Sequence, residues 1–336
     1  MKAEAIILAA GKGTRMKSKL PKVAHRLLGR PLVRWVVEAA HDAGVERPVC
    51  VLGHGIDIVR PLVEPDCAIA VQPGRLGTAD AVASAQPQFD GAKGSLLVLS
   101  GDCPLITAET LTSLVAAREE SDAGAAVLTM RMDDPTGYGR ILRDGAGEVE
   151  RIVEQKDCTP EQALINECNS GFYCFDAELL FDALAKVGSD NAQGEFYLTD
   201  VVEIARAAGR AVVGVESSDP TECLGINTRV QLAEALRIMR NRINLRHMLA
   251  GVTLWDPQST YIGPDVRIVQ DVEVLPQTFL LGDTSIGADA TIGPNAYLVD
   301  CTVGAGCAVH DARRVGATLA EESVCDMHSH CETGAK

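Results

Sequence analysis

From residue 262 onward one aliphatic side chain recurs every six positions without exception: Ile262, Ile268, Val274, Leu280, Ile286, Ile292 and Leu298. After a one-residue skip the pattern resumes at Val303, Val309 and Val315. Two residues before each aliphatic stands a small or branched one (Thr260, Val266, Val272, Thr278, Thr284, Ala290, Ala296, Cys301, Cys307), until Arg313 breaks the rule. Gly-Pro and Gly-Asp corners fill the remainder. This is the hexapeptide pattern of a parallel β-helix, in which each coil buries its aliphatics on the coils above and below. Cys301 and Cys307 are then small inward-facing residues, not ligands.

The preceding sequence is organised differently. Residues 1 to 227 alternate strand-like runs (Glu4–Leu8, Pro48–Leu52, Ala68–Gln72, Ser95–Leu99, Ala125–Met130, Gly171–Phe175) with amphipathic stretches such as Pro31–Ala43, Thr78–Ala85 and Ala108–Glu120. That alternation predicts an α/β domain with a mainly parallel sheet covered by helices. In open sheets of this kind a ligand sits beyond the carboxyl ends of the strands. The loop after Leu8, the Gln72–Thr78 loop and the Gly101-Asp102 turn all follow strand candidates, so they should converge on one crevice. Between the two regions, Thr228 to Ala250 lacks glycine and proline and repeats apolar residues at helical spacing (Leu232, Leu236, Met239, Ile243, Leu249). It reads as one long helix stopped by Gly251. Its arginines, Arg229, Arg237, Arg240, Arg242 and Arg246, read as a solvated or inter-domain face.

A chain of 336 residues is more than one core usually holds, which agrees with this division. Its longest apolar runs are strand-length, so no membrane partner is expected. Met1-Lys2-Ala3-Glu4 shows no secretion signal, so a cytoplasmic location is expected. The formal charge of −15 argues against a nucleic-acid partner. It does not argue against a nucleotide, which would meet only a local patch of cations. Eleven cysteines without a Cys-x-x-Cys read as reduced, mostly buried small hydrophobes such as Cys50, Cys168 and Cys174. Cys325, His328, His330 and Cys331 cluster near the end, but too tightly for a usual four-ligand zinc site. A loosely packed tail is expected there.

The cations are concentrated in Leu8-Ala9-Ala10-Gly11-Lys12-Gly13-Thr14-Arg15-Met16, followed by Leu20-Pro21-Lys22. A strand that ends in small residues and Gly-x-Gly lets a nucleotide approach the backbone. The loop amides form an anion nest, and Lys12, Arg15 and Lys22 bring three cations to it. The arrangement suits a triphosphate. It is neither G-x-x-x-x-G-K-[ST] nor G-x-G-x-x-G.

Further segments occur in a characteristic order: Leu76-Gly77-Thr78, Gly101-Asp102-Cys103-Pro104-Leu105 and Asp134-Pro135-Thr136-Gly137-Tyr138-Gly139-Arg140-Ile141. After them come Ile152-Val153-Glu154-Gln155-Lys156-Asp157, Asn169-Ser170-Gly171, Asn191 through Asp200 and Gly225-Ile226-Asn227. With the first loop, these resemble the bacterial bifunctional N-acetylglucosamine-1-phosphate uridyltransferase/glucosamine-1-phosphate acetyltransferase family. The motifs cover the first 227 residues. The resemblance implies a Rossmann-like nucleotidyltransferase domain over residues 1–227, a linker helix over 228–251, a short left-handed β-helix over 252–318 and a tail over 319–336. It implies a homotrimer formed through the β-helix.

It also implies a reaction: UTP and N-acetylglucosamine 1-phosphate give UDP-N-acetylglucosamine and pyrophosphate. The attacking phosphate oxygen is already ionised, so no general base is needed, and catalysis rests on positioning and charge neutralisation. By resemblance, Leu8, Ala9, Ala10 and Gly11 line the nucleotide, and Arg15 and Lys22 hold the triphosphate. Gln72, Gly77 and Thr78 read the uracil edge, and Ser100 and Gly101 adjoin it. Ser100 stands where many relatives carry an aromatic residue, which removes only a stacking contact. Asp102 and Asn227 bind Mg²⁺ as hard oxygen ligands, and Gly139, Glu154 and Asn169 hold the sugar. Local alternatives exist: Asp102 could cap a helix, Glu154 could pair with Arg140 or Arg151, and Asn169 could close a turn. Roughly three to four coils can be counted, and the Lys, His, Tyr and Asn residues of the family's acetyltransferase region are not found after Arg314, so acetyl transfer is not expected. Two rival readings are a nucleotidyltransferase for another sugar 1-phosphate and a non-catalytic regulatory subunit.

Overall fold

The computed structural model describes residues 3–74 and 76–328. By contacts it divides into two compact units, one of residues up to 25 and 31–231, the other of residues 26–30 and those from 232 onward.

The first unit is built on a nine-stranded sheet. Its main path runs Val212–Glu216, Ala125–Arg131, Glu167–Asp176, Ser95–Ser100, Glu4–Leu8, Val49–Leu52, Ala68–Val71. A hairpin of Arg140–Arg143 and Val149–Val153 joins it through Cys168 opposite Arg140. The central strands are apolar without interruption because both faces are covered, as expected for a largely parallel sheet between helical layers. Alternate residues feed different cores. Ile7, Leu97 and Leu99 pack on the side of helices Leu32–Asp42 and Ala108–Glu120. Ile6, Leu96 and Val98 pack on the side of Thr78–Ala83, Ala177–Leu184 and Asp200–Ala207. Burying each of these side chains fully contributes roughly 1.5–3 kcal/mol.

Glu4–Leu8 pairs in parallel with Val49–Leu52 on one side and Ser95–Ser100 on the other. The chain therefore leaves in opposite directions from this point, opening a crevice at the carboxyl ends. One strand departs from the parallel expectation. Glu167–Asp176 runs antiparallel to both of its neighbours in the main path, with a bulge between Asn169 and Tyr173 where Gly171 takes φ +82°. Such a bulge re-aims the side chains beside it.

The second unit is the left-handed β-helix, three parallel sheets stacked coil on coil. Ile262, Leu280 and Leu298 lie fully buried, as do Val274 and Ile292. The threonines two residues ahead are also buried and lose no hydrogen bond: Thr278 Oγ1 donates to Leu275 O at 2.8 Å and Thr284 Oγ1 to Leu281 O at 2.7 Å. The helix Arg229–Leu249 leads into the coils, and Asn244 Nδ2 donates to Pro257 O and Thr260 O at 2.9 and 3.0 Å. The segment Arg26–Arg30 belongs to this unit, held by Arg30 on Asp265 at 2.6 Å.

The six-residue pattern fails at Val315, which is 55% exposed. Register explains the correction: Arg314, not Val315, stands opposite Leu298, so a second one-residue skip follows Val309. The long Arg314 side chain is accommodated there because its guanidinium reaches the carbonyls of Arg313 and Asp326 at 3.0 and 2.6 Å. Strand Thr318–Leu319 crosses the expected end of the β-helix at 318 and Val324–Cys325 lies within the expected loose tail, with Cys325 buried. His330 and Cys331 lie outside the described residues, and among those described no group of three or more His, Cys, Asp or Glu could hold a metal. No helix among the described residues is long and apolar enough to cross a membrane.

Candidate functional site

The crevice predicted from strand order is a cleft of about 290 Å³ in the first unit. Leu8, Ala10, Gly11 and Lys22 line it from the first loop, Gln72, Gly77 and Thr78 from the second, and Ser100 and Asp102 from the third. Backbone hydrogen bonds hold the loops together: Ala9 N donates to Val51 O at 2.9 Å, Gly101 N to Leu8 O at 3.0 Å and Ile226 N to Asp102 O at 3.0 Å. A Cβ placed on Gly11 would meet nothing within 4 Å, so a ligand can approach this backbone closely. Gly13, at φ +62°, has the opposite constraint. Its Cβ would fall 2.5 Å from Lys22 Cβ, so glycine permits the close approach that seats Lys22.

At one end of the cleft four polar side chains meet. Lys22 Nζ donates to Asp102 Oδ2 and, at 2.9 Å, to Asn227 Oδ1; Arg15 Nη2 reaches the same Asn227 oxygen at 2.9 Å. Asp102 caps no helix, since Thr107 caps Ala108–Glu120. Two hard oxygens from chain positions far apart thus converge on one cationic group, an ammonium here. The same pair suits a divalent cation. Lys12 is exposed on the loop.

At the other end stands Gln72, buried, its Nε2 donating to Gly77 O at 3.2 Å and to Asp80 Oδ2 at 2.7 Å. Gly77 takes φ +123° and packs backbone on backbone against Phe196, where a Cβ would come within 2.2 Å of the Phe196 oxygen. Phe196 N donates to Leu76 O at 2.6 Å, and Leu198 N donates to Thr78 Oγ1 at 3.0 Å. Glu195 also lines the cleft. The loop before Thr78 is therefore braced by the segment that follows Asn191.

Gly139, Glu154 and Asn169 come together at the open end of the hairpin. Asn169 N donates to Gly139 O at 2.9 Å, and a Cβ on Gly139 would lie 3.4 Å from Asn169 Cβ and 3.6 Å from Glu154 Oε2. Asn169 Nδ2 donates to the Tyr173 hydroxyl at 2.6 Å, while its Oδ1 accepts from Gly171 N at 3.2 Å, so it closes the bulge as well. Arg140 turns to Tyr138 O, Gln155 and Ala163 O instead of Glu154. Burial pushes the Glu154 carboxyl up; the Thr199 hydroxyl, 3.4 Å away, opposes this, and Asp157 and Asp200 add to it. Ser100 Oγ bonds Gly171 O at 3.2 Å, linking this group to the cleft.

The nucleotide-, metal- and sugar-site candidates read from the sequence fall into these three groups or the backbone between them, whereas Lys12 stands exposed on the loop. Asp80 and Tyr173 were not singled out, and Thr199 only as part of the 191–200 segment; each is a hydrogen-bond partner of another of these side chains, Asp80 of Gln72, Tyr173 of Asn169 and Thr199 of Glu154.

Residues 5–168 match the description of a MobA-like NTP transferase domain. The bifunctional protein GlmU of Brevibacillus brevis is 47% identical over 335 residues, covering 100% of this chain and 73% of that protein. GlmU of Trichlorobacter lovleyi is 47% identical over 96% of this chain and 70% of its own length. Among solved structures, a UDP-glucose pyrophosphorylase complexed with UDP-glucose superimposes with TM-score 0.55 at 18% identity, covering 72% of this chain and 100% of that one. At that identity the likeness shows the fold alone.

Proposed function

The chain belongs to the family of the bifunctional GlmU proteins, and on that premise we propose that its first unit transfers UMP from UTP to N-acetylglucosamine 1-phosphate, releasing pyrophosphate and UDP-N-acetylglucosamine. The observation that carries the reading is the meeting of Lys22, Arg15, Asp102 and Asn227 at one end of a cleft whose other end presents Gln72. A cation-rich end and an amide-bearing end match the two ends of a nucleoside triphosphate.

The sugar phosphate brings its own ionised nucleophile, so the residues here have to bring two polyanions together. Arg15 and Lys22 can do so by exchanging their bonds to Asn227 and Asp102 for phosphate oxygens. In a site partly shielded from water such charge partners are worth several kcal/mol, about 2.7–4 for a single donor. Asp102 and Asn227 would hold Mg²⁺, which when bound neutralises part of the phosphate charge. Leu8 through Gly11 offer backbone to the nucleotide. Gln72, its amide hydrogens engaged, offers an oxygen to the base, with Gly77 and Thr78 beside it. Glu154 and Asn169 supply acceptor and donor groups for hydroxyls and an acetamide, and Gly139 leaves room for the ring. A cytoplasmic homotrimer assembled through the β-helix belongs to the same reading.

A regulatory subunit would have lost the phosphate lysine or the acidic ligand, and both are present. The rival sugar specificity is tested by comparing turnover of four sugar 1-phosphates with UTP. N-acetylglucosamine 1-phosphate should lead clearly; equal turnover of glucose 1-phosphate would reject the assignment.

A further inference from the structure

Gln72 reads a base only through whichever end of its amide faces the cleft, and the two ends are opposites: one accepts a hydrogen bond, the other donates two. Nothing in the backbone of residue 72 decides between them. The decision is made by what lies behind. The Nε2 group meets two acceptors, the Gly77 carbonyl at 3.2 Å and the Asp80 carboxylate at 2.7 Å. Rotating the amide would aim its oxygen at a carbonyl and a carboxylate, two repulsive contacts replacing two hydrogen bonds. Among the described residues no hydrogen bond to Gln72 Oε1 is made. The oxygen is left for the cleft.

We infer that Asp80 is a specificity-determining positioning residue: it locks the Gln72 amide with its oxygen toward the nucleobase and so selects a base that donates from its N3 edge. The inference rests on the proposed uridylyl transfer. Uracil carries N3–H and satisfies the oxygen. Cytosine carries a lone pair at N3, which would face the Gln72 lone pairs at hydrogen-bond distance, and an amide free to rotate would instead offer it an N–H. Discrimination therefore comes from an orientation that Asp80 imposes without touching the base, and buried mismatched polar pairs of this kind are what give sites strong selectivity. Asp80 is well placed for this. It sits in the first turn of Thr78–Ala83, on a segment anchored by Ala79 N to Phe196 O at 3.0 Å.

The experiment measures kcat/KM for UTP and for CTP, with N-acetylglucosamine 1-phosphate as acceptor, in the wild type, Asp80→Asn and Asp80→Ala. Asparagine keeps the shape but can donate to a rotated Gln72 oxygen; alanine removes the carboxylate's share of the repulsion and leaves only that of the Gly77 carbonyl. The UTP-to-CTP ratio should fall about tenfold in both variants, chiefly through faster CTP turnover, while KM for the sugar phosphate stays put. A ratio that holds in both variants, whether or not UTP turnover drops, would overturn the role of Asp80 and leave it a structural residue. A wild type that turns over neither nucleotide, or both equally, would instead reject the uridylyl-transfer reading beneath it. Wild-type turnover of 3-methyl-UTP, which lacks the N3–H, should be as poor as that of CTP; turnover equal to that of UTP would overturn the N3 contact itself.

Discussion

The two units solve opposite problems with similar side chains. In the β-helix, a buried aliphatic such as Leu280 has the same neighbour one coil up and one coil down, Ile262 before it and Leu298 after it. Position is dictated by repetition, and any single residue matters for packing alone. In the first unit the residues proposed to carry the chemistry come from unrelated loops and meet once: Lys22, Asp102 and Asn227 are 80 to 205 positions apart in sequence. The lesson is that periodic order makes a scaffold, whereas chemistry requires aperiodic convergence held by backbone bonds. Removing a side chain from one region should cost stability; removing it from the other should cost turnover.

Leu280→Ala is the largest expected effect on the packing side. A fully buried Leu replaced by Ala costs about 2–5 kcal/mol, so denaturant unfolding of the β-helix unit should shift markedly while kcat/KM of the folded enzyme stays unchanged. Lost turnover in folded Leu280→Ala would break the contrast. On the chemical side, Lys22→Ala and Asp102→Ala should each lower kcat/KM about a hundredfold, the scale of losing one charge partner in the transition state. Their melting curves should stay close to wild type, and near-normal activity in either would remove that residue from the mechanism.

Smaller effects sharpen the comparison through pH. His247 in the second unit is buried beside Arg246, and burial pushes its ring down to about 4 from 6.5. Because the unfolded ring takes up its proton first, the folded state loses stability as pH falls from about 6.5 toward about 4. A loss of about 1–2 kcal/mol allows for residual solvent contact. His247→Leu should flatten that part of the stability profile, and an unchanged profile would contradict the burial argument. Glu154 in the first unit is shifted the other way, its carboxyl raised by burial first. Protonation removes an acceptor, so KM for the sugar phosphate should rise on acidification, and should begin to do so at a higher pH than an ordinary glutamate would give. In Glu154→Gln that component should be missing, while the substrate's own titration remains. An equally steep rise in the variant would remove Glu154 from sugar binding.

The sequence made the two regions unequally legible for the same reason. From residue 262 the six-residue rule tracked the inward positions up to Val309, because each coil repeats the environment of the last, though Ile268 is only half-buried and the buried Val252 and Leu254 of the first coil lie outside the series. It failed at Val315, where a shortened coil handed the inward position to Arg314 and its carbonyl partners, a choice that spacing cannot encode. In the first unit six of the seven main-path strands were visible as apolar runs, Val212–Glu216 was not among them, and the direction of Glu167–Asp176 was not legible, since an apolar run reads the same both ways. The hairpin that seats Gly139 and Glu154 was also missed, being short and half-polar. The association of Arg26–Arg30 with the β-helix includes an ion pair from Arg30 to Asp265, 235 residues away, which no local pattern signals. The proposed ligand-contacting residues sit in recognisable motifs, whereas the hydrogen bonds that Asp80, Thr199 and Tyr173 make to Gln72, Glu154 and Asn169 become visible only once the chain has folded.

The central claim is tested most directly by pyrophosphate release from UTP, Mg²⁺ and N-acetylglucosamine 1-phosphate, with folded Asp102→Ala as the blank and acetyl-CoA plus glucosamine 1-phosphate in a parallel tube. The account predicts release from the wild type that depends on the sugar phosphate and falls about a hundredfold in the blank, whatever the parallel tube shows. Silence from folded wild-type protein would contradict it.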